Sequence, residues 1–254
     1  MEQQKKIYFI SDLHFGTPDA VSSRARELKF VQWMEEVSVD AAEIFIVGDL
    51  FDFWHEYGTV VPKGFVRVQA AIAKAVDAGI KVSLFTGNHD LWQNDYFEKE
   101  LGVTLYREPI ERTWNGKQFL IGHGDGLGPG DHGYKFMKKV FTNPLCQWLF
   151  KWLHPDWGMQ LASYFSYKSR YANGTVPMET FQGEDKEWLI QYCKRKLQSK
   201  AYHYFIFGHR HLPIDFKFND ECRYINTGDW LSYYTYAVFD GTTLELKTYE
   251  KFHE

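Results

Sequence analysis

The chain has 254 residues, 44% hydrophobic and 18% aromatic, which is enough apolar side chain to fill the core of one domain. Its formal net charge of −4 excludes a global attraction to nucleic acid or anionic lipid, so any such attraction must come from a local patch. The first apolar run is too short for a signal peptide, and no run approaches the roughly 18 residues that span a bilayer. Three cysteines without a C-x-x-C pair suit a reducing compartment, and we expect a cytoplasmic protein.

Short runs of aliphatic and aromatic residues alternate with helical patterns in the first half of the chain. Several of these runs lack polar alternation, which is typical of strands covered on both faces. Strands are predicted at 6–11, 43–49 and 81–88. Apolar residues spaced i, i+3, i+4, i+7 from Phe30 to Val37 predict a helix capped at Ser22 or Ser23, and a second helix is expected from about 63 to 78.

The second half contains the remaining predicted strands. They lie at 118–125, 204–211, 223–229, 236–241 and 244–250. A helix is expected from Glu184 to about Ser199, and the chain is predicted to end in an antiparallel meander with a hairpin turn at Asp240 and Gly241. This alternation favours an α/β layered fold, and we expect residues 1–254 to form a single domain.

Polar clusters come directly after the predicted strands, where α/β proteins bind ligands. They are D-L-H at 12–14, G-D-L-F-D at 48–52, G-N-H-D at 87–90, G-H-G-D at 122–125 and G-H-R-H at 208–211. Taken singly, each is also typical of a turn in which Asn and Asp bond their own backbone. Their joint occurrence, each behind a strand, favours one common site.

The clusters supply carboxylate, amide and imidazole groups, which suit divalent ions such as Mn²⁺, Fe²⁺ or Zn²⁺. In D-x-H and H-x-H, alternate residues of an extended segment point to the same side, so both can reach one ion. Seven ligands are too many for one tetrahedral ion and suit two ions that share a carboxylate, for which Asp49 is the candidate. The predicted metal ligands are Asp12, His14, Asp49, Asn88, His123, His209 and His211.

The order of these motifs over residues 12–211 resembles the calcineurin-like metallophosphoesterase superfamily. The resemblance implies a four-layer αββα sandwich of two mixed sheets and two divalent metal ions. One ion would be bound by Asp12, His14, Asp49 and His211, and the other by Asp49, Asn88, His123 and His209.

The resemblance also places His89 beside the scissile phosphate. There the imidazole, positioned by Asp90, is expected to protonate the leaving oxygen or offset its charge. Asp52, Asp90 and Asp125 are candidates for orienting imidazole ligands, and each is equally suited to capping a turn.

An insertion at about 128–175 has a different composition from the rest of the chain. Residues 135–170 carry six basic side chains against one acid, together with many aromatic and aliphatic residues. The pattern predicts a helical lid. One interpretation is a helical hairpin that packs on the main domain, and the other is a site for an anionic head group with acyl chains, in peripheral contact with a membrane.

The lid, the segment G-D-L-F-D-F-W and the run from H-G-D to D-H-G-Y-K-F are similar to the UDP-2,3-diacylglucosamine pyrophosphatases of lipid A biosynthesis. This resemblance implies Mn²⁺-dependent hydrolysis of UDP-2,3-diacylglucosamine to UMP and 2,3-diacylglucosamine 1-phosphate (lipid X) at the cytoplasmic face of the inner membrane. His89 stands where many of those enzymes carry arginine. The residues expected to contact substrate are Asn88, Asp131, Tyr134, Lys168 and Arg170.

Other functions stay open on the sequence. A generic metallophosphodiesterase or phosphatase acting on another nucleotide or a phospholipid-like substrate would use the same motifs, although a soluble phosphatase has little use for an apolar lid. A nucleic-acid phosphodiesterase would need a long positive groove, and a non-enzymatic scaffold would be expected to lose ligands. We therefore predict no nucleic-acid partner and no protein partner.

Overall fold

The computed structural model of the chain describes residues 5–129, 132–170 and 180–250. Within these ranges, the strands are β1 (Lys6–Ile10), β2 (Ala41–Ile46), β3 (Lys81–Phe85), β4 (Thr104–Tyr106), β5 (Ile110–Trp114), β6 (Lys117–Ile121), β7 (Tyr204–Phe207), β8 (Pro213–Lys217), β9 (Arg223–Thr227), β10 (Thr235–Phe239) and β11 (Leu244–Thr248). The helices are α1 (Ala20–Val37), α2 (Val66–Asp77), α3 (Tyr96–Leu101), α4 (His132–Phe141), α5 (Pro144–Lys151), α6 (Pro155–Arg170) and α7 (Trp188–Leu197).

The strands form two mixed sheets. The first has the order β11-β10-β1-β2-β3-β4, in which β1 to β4 are parallel and β10 pairs antiparallel with β1. The second has the order β5-β6-β7-β9-β8, with β6, β7 and β9 parallel. Because the parallel strands of each sheet are neighbours, their carboxyl ends place several loops side by side.

Alternate residues of β1 face different layers, as the two-residue period of a strand requires. Tyr8 and Ile10 belong to a buried cluster with α1 and α2, whereas Ile7 and Phe9 point into the core between the two sheets. A third cluster, which includes Leu189 of α7, covers the outer face of the second sheet. Helix, sheet, sheet and helix therefore stack in four layers, and the predicted α/β class and αββα sandwich are confirmed.

The first helix begins earlier than its sequence pattern indicated. Asp19 is the N-cap, because its carboxylate accepts hydrogen bonds from the backbone N–H groups of Val21 and Ser22. The predicted caps Ser22 and Ser23 were wrong. The hydroxyl of Ser23 instead accepts a hydrogen bond from the backbone N–H of Gly16, which ties the helix to the loop after β1.

The predicted antiparallel meander of the last three strands was wrong for the first of them, β9. β9 lies in the second sheet, antiparallel to β8, whereas β10 and β11 form a hairpin in the first sheet. The predicted hairpin turn is present, and the Asp240 side chain accepts hydrogen bonds from the backbone N–H groups of Thr242 and Thr243.

Three helices, α4, α5 and α6, occupy the segment between β6 and α7 where the insertion was predicted, and we refer to them as the insertion helices. Residues 171–175 of that insertion lie outside the described part of the chain. Nowhere in the described ranges is a helix both long enough and apolar enough to cross a bilayer.

Candidate active site

The loops after five strands bring the predicted ligands to one end of the two sheets. Asp12, His14 and Asp49 follow β1 and β2 and are completely buried, and His123 follows β6 and is almost so. Several of these residues adopt the left-handed backbone conformation, with φ between 46° and 65°, although none is glycine. They are Asp12, His14, Asp49, His209 and His211. Such backbone strain persists only where the surrounding structure holds it, and it is concentrated at functional sites.

The first cluster consists of Asp12, His14, Asp49 and His211, whose ligand atoms all lie within 4.8 Å of one another. His14 Nε2 is 3.1 Å from His211 Nε2, and His211 Nε2 is 3.3 Å from Asp12 Oδ1. Two imidazole nitrogens and two carboxylates therefore point at one small volume, which is the arrangement of ligands around a cation.

The second cluster consists of Asp49, His123 and His209, again within 4.8 Å. The amide of Asn88 joins it, because Asn88 Oδ1 lies 2.5 Å from His209 Nδ1 and 3.2 Å from His123 Nε2. Asp49 belongs to both clusters. The structure thus brings all seven predicted ligands together in the two predicted groups.

The charges in the clusters fit bound cations. Burial alone would raise the pKa of Asp49, but the imidazoles of His123, His89 and His14 outweigh it and hold the pKa well below its usual range. Burial alone would lower the pKa of His123, yet the carboxylates of Asp49 and Asp12 raise it to about 10. The buried carboxylates therefore stabilise positive charge at this position.

One oxygen of the Asp49 carboxylate, which both clusters share, tests whether these residues fit bound metal ions. Asp49 Oδ2 is buried and accepts no hydrogen bond from the described part of the chain, although His123 Nε2 lies 3.3 Å away. A buried carboxylate oxygen without a partner is costly unless a cation satisfies it. The residues present therefore fit two divalent cations that share Asp49.

Backbone and side-chain contacts orient the ligands from behind. The carbonyl of Val47 lies 2.9 Å from His123 Nδ1, so the opposite nitrogen, Nε2, faces the second cluster. Gly48 has φ of 89°, and a Cβ there would collide with the ring of His123. At this position only glycine allows the loop after β2 to pass so close to a ligand.

Asp229 also orients a ligand, and sequence reasoning missed it. Its Oδ2 lies 3.5 Å from His211 Nδ1. The signal was present, because Gly228 and Asp229 follow β9 as Gly48 and Asp49 follow β2. The pattern was assigned to a meander instead of to the site.

The carboxylate of Asp90 contacts backbone rather than His89. It accepts hydrogen bonds from the N–H groups of Leu50, Phe51 and Gly87, and within the described residues no hydrogen bond joins it to His89. Burial and the nearby Asp49 raise its pKa to about 7. Asp90 therefore ties the loop after β2 to the loop after β3, and the expected contact with His89 is corrected.

Of the expected substrate contacts outside the clusters, Tyr134 lies at the site. Its hydroxyl donates to Asp125 Oδ2 at 2.6 Å, and Lys138 Nζ approaches the same oxygen at 2.6 Å. The Tyr134 ring centroid is 6.3 Å from that of His209. Helix α4 is thus joined to the loop after β6. Asp131 and the side chains of Lys168 and Arg170 lie outside the described part of the chain.

Comparison with known proteins decides the family. Residues 5–213 match the family model for calcineurin-like phosphoesterases. The chain belongs to this family. The resemblance drawn from the motif order is therefore confirmed, and membership implies divalent metal ions at the two clusters.

Two relatives of this phosphoesterase have the same name. A protein of Porphyromonas gingivalis named UDP-2,3-diacylglucosamine hydrolase is 37% identical, over 97% of this chain and 98% of its own length. A protein of the same name from Yersinia pseudotuberculosis is 28% identical, over 81% of each chain. Among solved structures, the E. coli phosphoesterase Yfce has a TM-score of 0.44 at 14% identity and covers 96% of this chain and 92% of its own.

Proposed function

We propose that this chain hydrolyses the pyrophosphate of UDP-2,3-diacylglucosamine, releasing UMP and 2,3-diacylglucosamine 1-phosphate. The observation that carries the proposal is the 37% identity to a named UDP-2,3-diacylglucosamine hydrolase over almost the full length of both chains. A generic phosphodiesterase acting on another substrate is not favoured, because the more distant Yersinia relative has the same name.

Two divalent ions, which we propose to be Mn²⁺, would lie at the two clusters. One would be held by Asp12, His14, Asp49 and His211, and the other by Asp49, Asn88, His123 and His209. Oxygen and imidazole donors without a thiolate suit Mn²⁺. When bound, the ions would lower the pKa of a water molecule and stabilise negative charge on the phosphoryl oxygens.

His89 is proposed as the residue beside the scissile phosphate. Its Nδ1 lies 3.1 Å from the backbone carbonyl of Asp52, and a carbonyl oxygen can only accept, so Nδ1 carries a proton. Nε2 is then the nitrogen free to face the substrate. A phosphate leaving group needs its charge offset more than it needs a proton, and a doubly protonated ring held in this orientation would supply either through its Nε2–H.

The insertion helices are proposed to form the lid, within a single domain over 1–254. A cavity of about 960 Å³ lies between α6 and the loops after β1 and β2, and it reaches Asp52. Apolar side chains such as Phe53, Val61 and Met159 line it. A cavity of this size and lining suits an acyl chain better than the polar groups of a simple nucleotide.

The outer face of the lid is proposed to rest on the cytoplasmic surface of the inner membrane. Phe136, Trp152 and Trp157 are each at least 70% exposed. The helices also carry Lys135 and Lys139. Exposed aromatic residues beside lysines are typical of surfaces that bind anionic lipid.

The proposal is tested by comparing three substrates of the purified, Mn²⁺-loaded protein: UDP-2,3-diacylglucosamine, UDP-glucose and bis(p-nitrophenyl) phosphate. We expect UMP release from the acylated substrate and little turnover of the other two. Equal turnover of all three would contradict the substrate assignment. Sedimentation with vesicles tests the membrane contact, and we expect binding to vesicles that contain anionic lipid and none to neutral ones.

A further inference from the structure

Ser166 is the point at which helix α6 meets the catalytic side of the site. Its Oγ donates a hydrogen bond to Asp52 Oδ2 at 2.8 Å and lies 3.2 Å from His89 Nδ1. Asp52 and His89 come from the loops after β2 and β3, more than seventy residues away in sequence. One hydroxyl therefore connects an insertion helix to two loops of the main domain.

Asp52 links Ser166 to two rings of the site. Its Oδ1 lies 3.7 Å from His89 Nδ1 and 3.7 Å from His14 Nδ1. The rings of His14 and His89 meet edge to face, with centroids 4.8 Å apart. The Asp52 carboxylate therefore lies between Ser166 and both imidazoles.

The hydrogen-bonding capacity of a serine hydroxyl matches its two neighbours. The hydroxyl has one proton to donate, which goes to the carboxylate of Asp52, and lone pairs that share the Nδ1 proton of His89 with the backbone carbonyl of Asp52. Alanine at this position would leave Asp52 Oδ2 and His89 Nδ1 without this partner. Threonine would keep both bonds.

Several side chains near Ser166 in the described part of α6 are not buried against the domain. Leu161, Tyr164 and Phe165, the residues just before Ser166, are all exposed. Apolar contact is not directional, whereas a hydrogen bond from a hydroxyl to a carboxylate fixes both distance and angle. The contacts of Ser166 therefore set where this turn of the helix lies relative to His89.

We propose that Ser166 is a positioning residue that acts through His89. With α6 seated on the site, the hydroxyl holds Nδ1 of His89 beside Asp52 and turns Nε2 toward the scissile phosphate. When α6 moves away, Nδ1 of His89 keeps only the backbone carbonyl of Asp52 as its hydrogen-bond acceptor, and the ring is held less firmly. Catalysis by His89 then depends on the lid being closed over the substrate. The inference rests on the proposed function in one respect, the place of His89 beside the phosphate.

The first test is a double-mutant cycle with Ser166→Ala and His89→Ala. We expect Ser166→Ala to lower kcat for UDP-2,3-diacylglucosamine by about 10-fold with little change in KM, as for loss of an orienting contact behind an active residue. Ser166→Thr should restore most of the rate. In the His89→Ala background, the second substitution should have no further effect.

Thr142→Val is the matched control, because it removes a hydroxyl from the exposed end of α4. It should keep the full rate. An equal loss from Ser166→Ala with and without His89, or no loss at all, would overturn the proposal.

The second test does not depend on activity. In metal-free protein with ¹⁵N-labelled histidine, Ser166→Ala should shift the ring nitrogens of His89 and leave those of the exposed His154 unchanged, and Ser166→Thr should restore them. Unchanged His89 resonances would overturn the proposal. If bis(p-nitrophenyl) phosphate is cleaved but the acylated substrate is not, the proposed substrate fails, while this readout still tests Ser166.

Discussion

The loops that form the floor of the site bury their functional side chains, whereas the insertion helices above them expose theirs. Asp12, His14 and Asp49 are fully buried, but Trp152 is 75% exposed. The floor is held by many backbone hydrogen bonds. The insertion reaches the main domain through polar contacts to Asp52 and Asp125 and through the ring of Phe150, which packs against Phe53, His55 and Trp92. This difference in burial indicates that the two regions have different roles. The chemistry needs side chains that are fixed before substrate binds, as in the floor. Recognition of a lipid uses exposed apolar surface that becomes buried on binding, as in the insertion helices.

The largest loss of activity is expected from a substitution in the floor of the site. Asp49→Ala removes the carboxylate shared by both clusters, so we expect it to lose bound metal and to lower kcat/KM by about 1,000-fold or more. Metal content by inductively coupled plasma mass spectrometry and UMP release measure the two losses. Asp215→Ala, which removes an exposed carboxylate paired with Arg223, is the control and should keep both.

His89→Ala should separate metal binding from catalysis. The imidazole lies beside the clusters but belongs to neither predicted ligand set, so the variant should keep its metal while kcat falls by about 100-fold. Metal content and kcat measured on the same preparation check this. Loss of metal together with activity would show that His89 is a ligand, and full activity would contradict its catalytic role.

The exposed tryptophans of the insertion should matter for the lipid and not for the chemistry. Trp148 and Trp152 are exposed and their rings lie 5.7 Å apart. The double variant Trp148→Ser, Trp152→Ser removes this apolar surface, and we expect kcat/KM for the acylated substrate in vesicles to fall by about 10-fold. Cleavage of bis(p-nitrophenyl) phosphate should be unchanged.

The matched control for this prediction is Trp148→Phe, Trp152→Phe. It keeps most of the apolar area and should retain the rate on vesicles. Equal losses on both substrates would mean that the tryptophans support the fold of the floor, and the comparison between the two regions would fail.

The last expected effect is on stability and concerns the contact between the regions. His55 is 1% exposed and packs against Phe150 of α5, with ring centroids 4.9 Å apart. Burial, with a smaller contribution from Lys151, lowers its pKa to about 4. Between about pH 6.5 and pH 4, His55 binds a proton in the unfolded chain but stays neutral in the folded chain. The free energy of unfolding therefore decreases as the pH falls through this range.

Urea unfolding at two pH values measures this loss. Between pH 7.5 and pH 5, His55 should account for about 2 kcal/mol of the decrease in the free energy of unfolding. His55→Phe should remove that part of the decrease, and the same substitution at the exposed His154 should not. An identical pH dependence in wild type and His55→Phe would contradict the assignment.

The ligand positions were predictable because each lies within a few residues of its own strand. Asp12 follows β1 and Asp49 follows β2, so a hydrophobic run ending in a polar cluster was enough to locate them. Parallel pairing of those strands then brings the loops together, and this requires no knowledge of side-chain packing.

Contacts that depend on packing between distant segments were not predictable. Ser166 meets Asp52 across 114 residues, and no spacing in the sequence connects the two. The apolar pattern of β9 does not specify which sheet the strand joins, so its pairing with β7 and β8, and with it the place of Asp229, became apparent only in three dimensions. Asp90 was assigned to His89 because they are neighbours, yet its carboxylate is taken up by three backbone N–H groups.

Anomalous diffraction from crystals grown with Mn²⁺ tests the central claim most directly. We expect two peaks, one among Asp12, His14 and His211 and the other among Asn88, His123 and His209, with Asp49 between them. A single peak away from Asp49, or bound manganese at neither cluster, would contradict it.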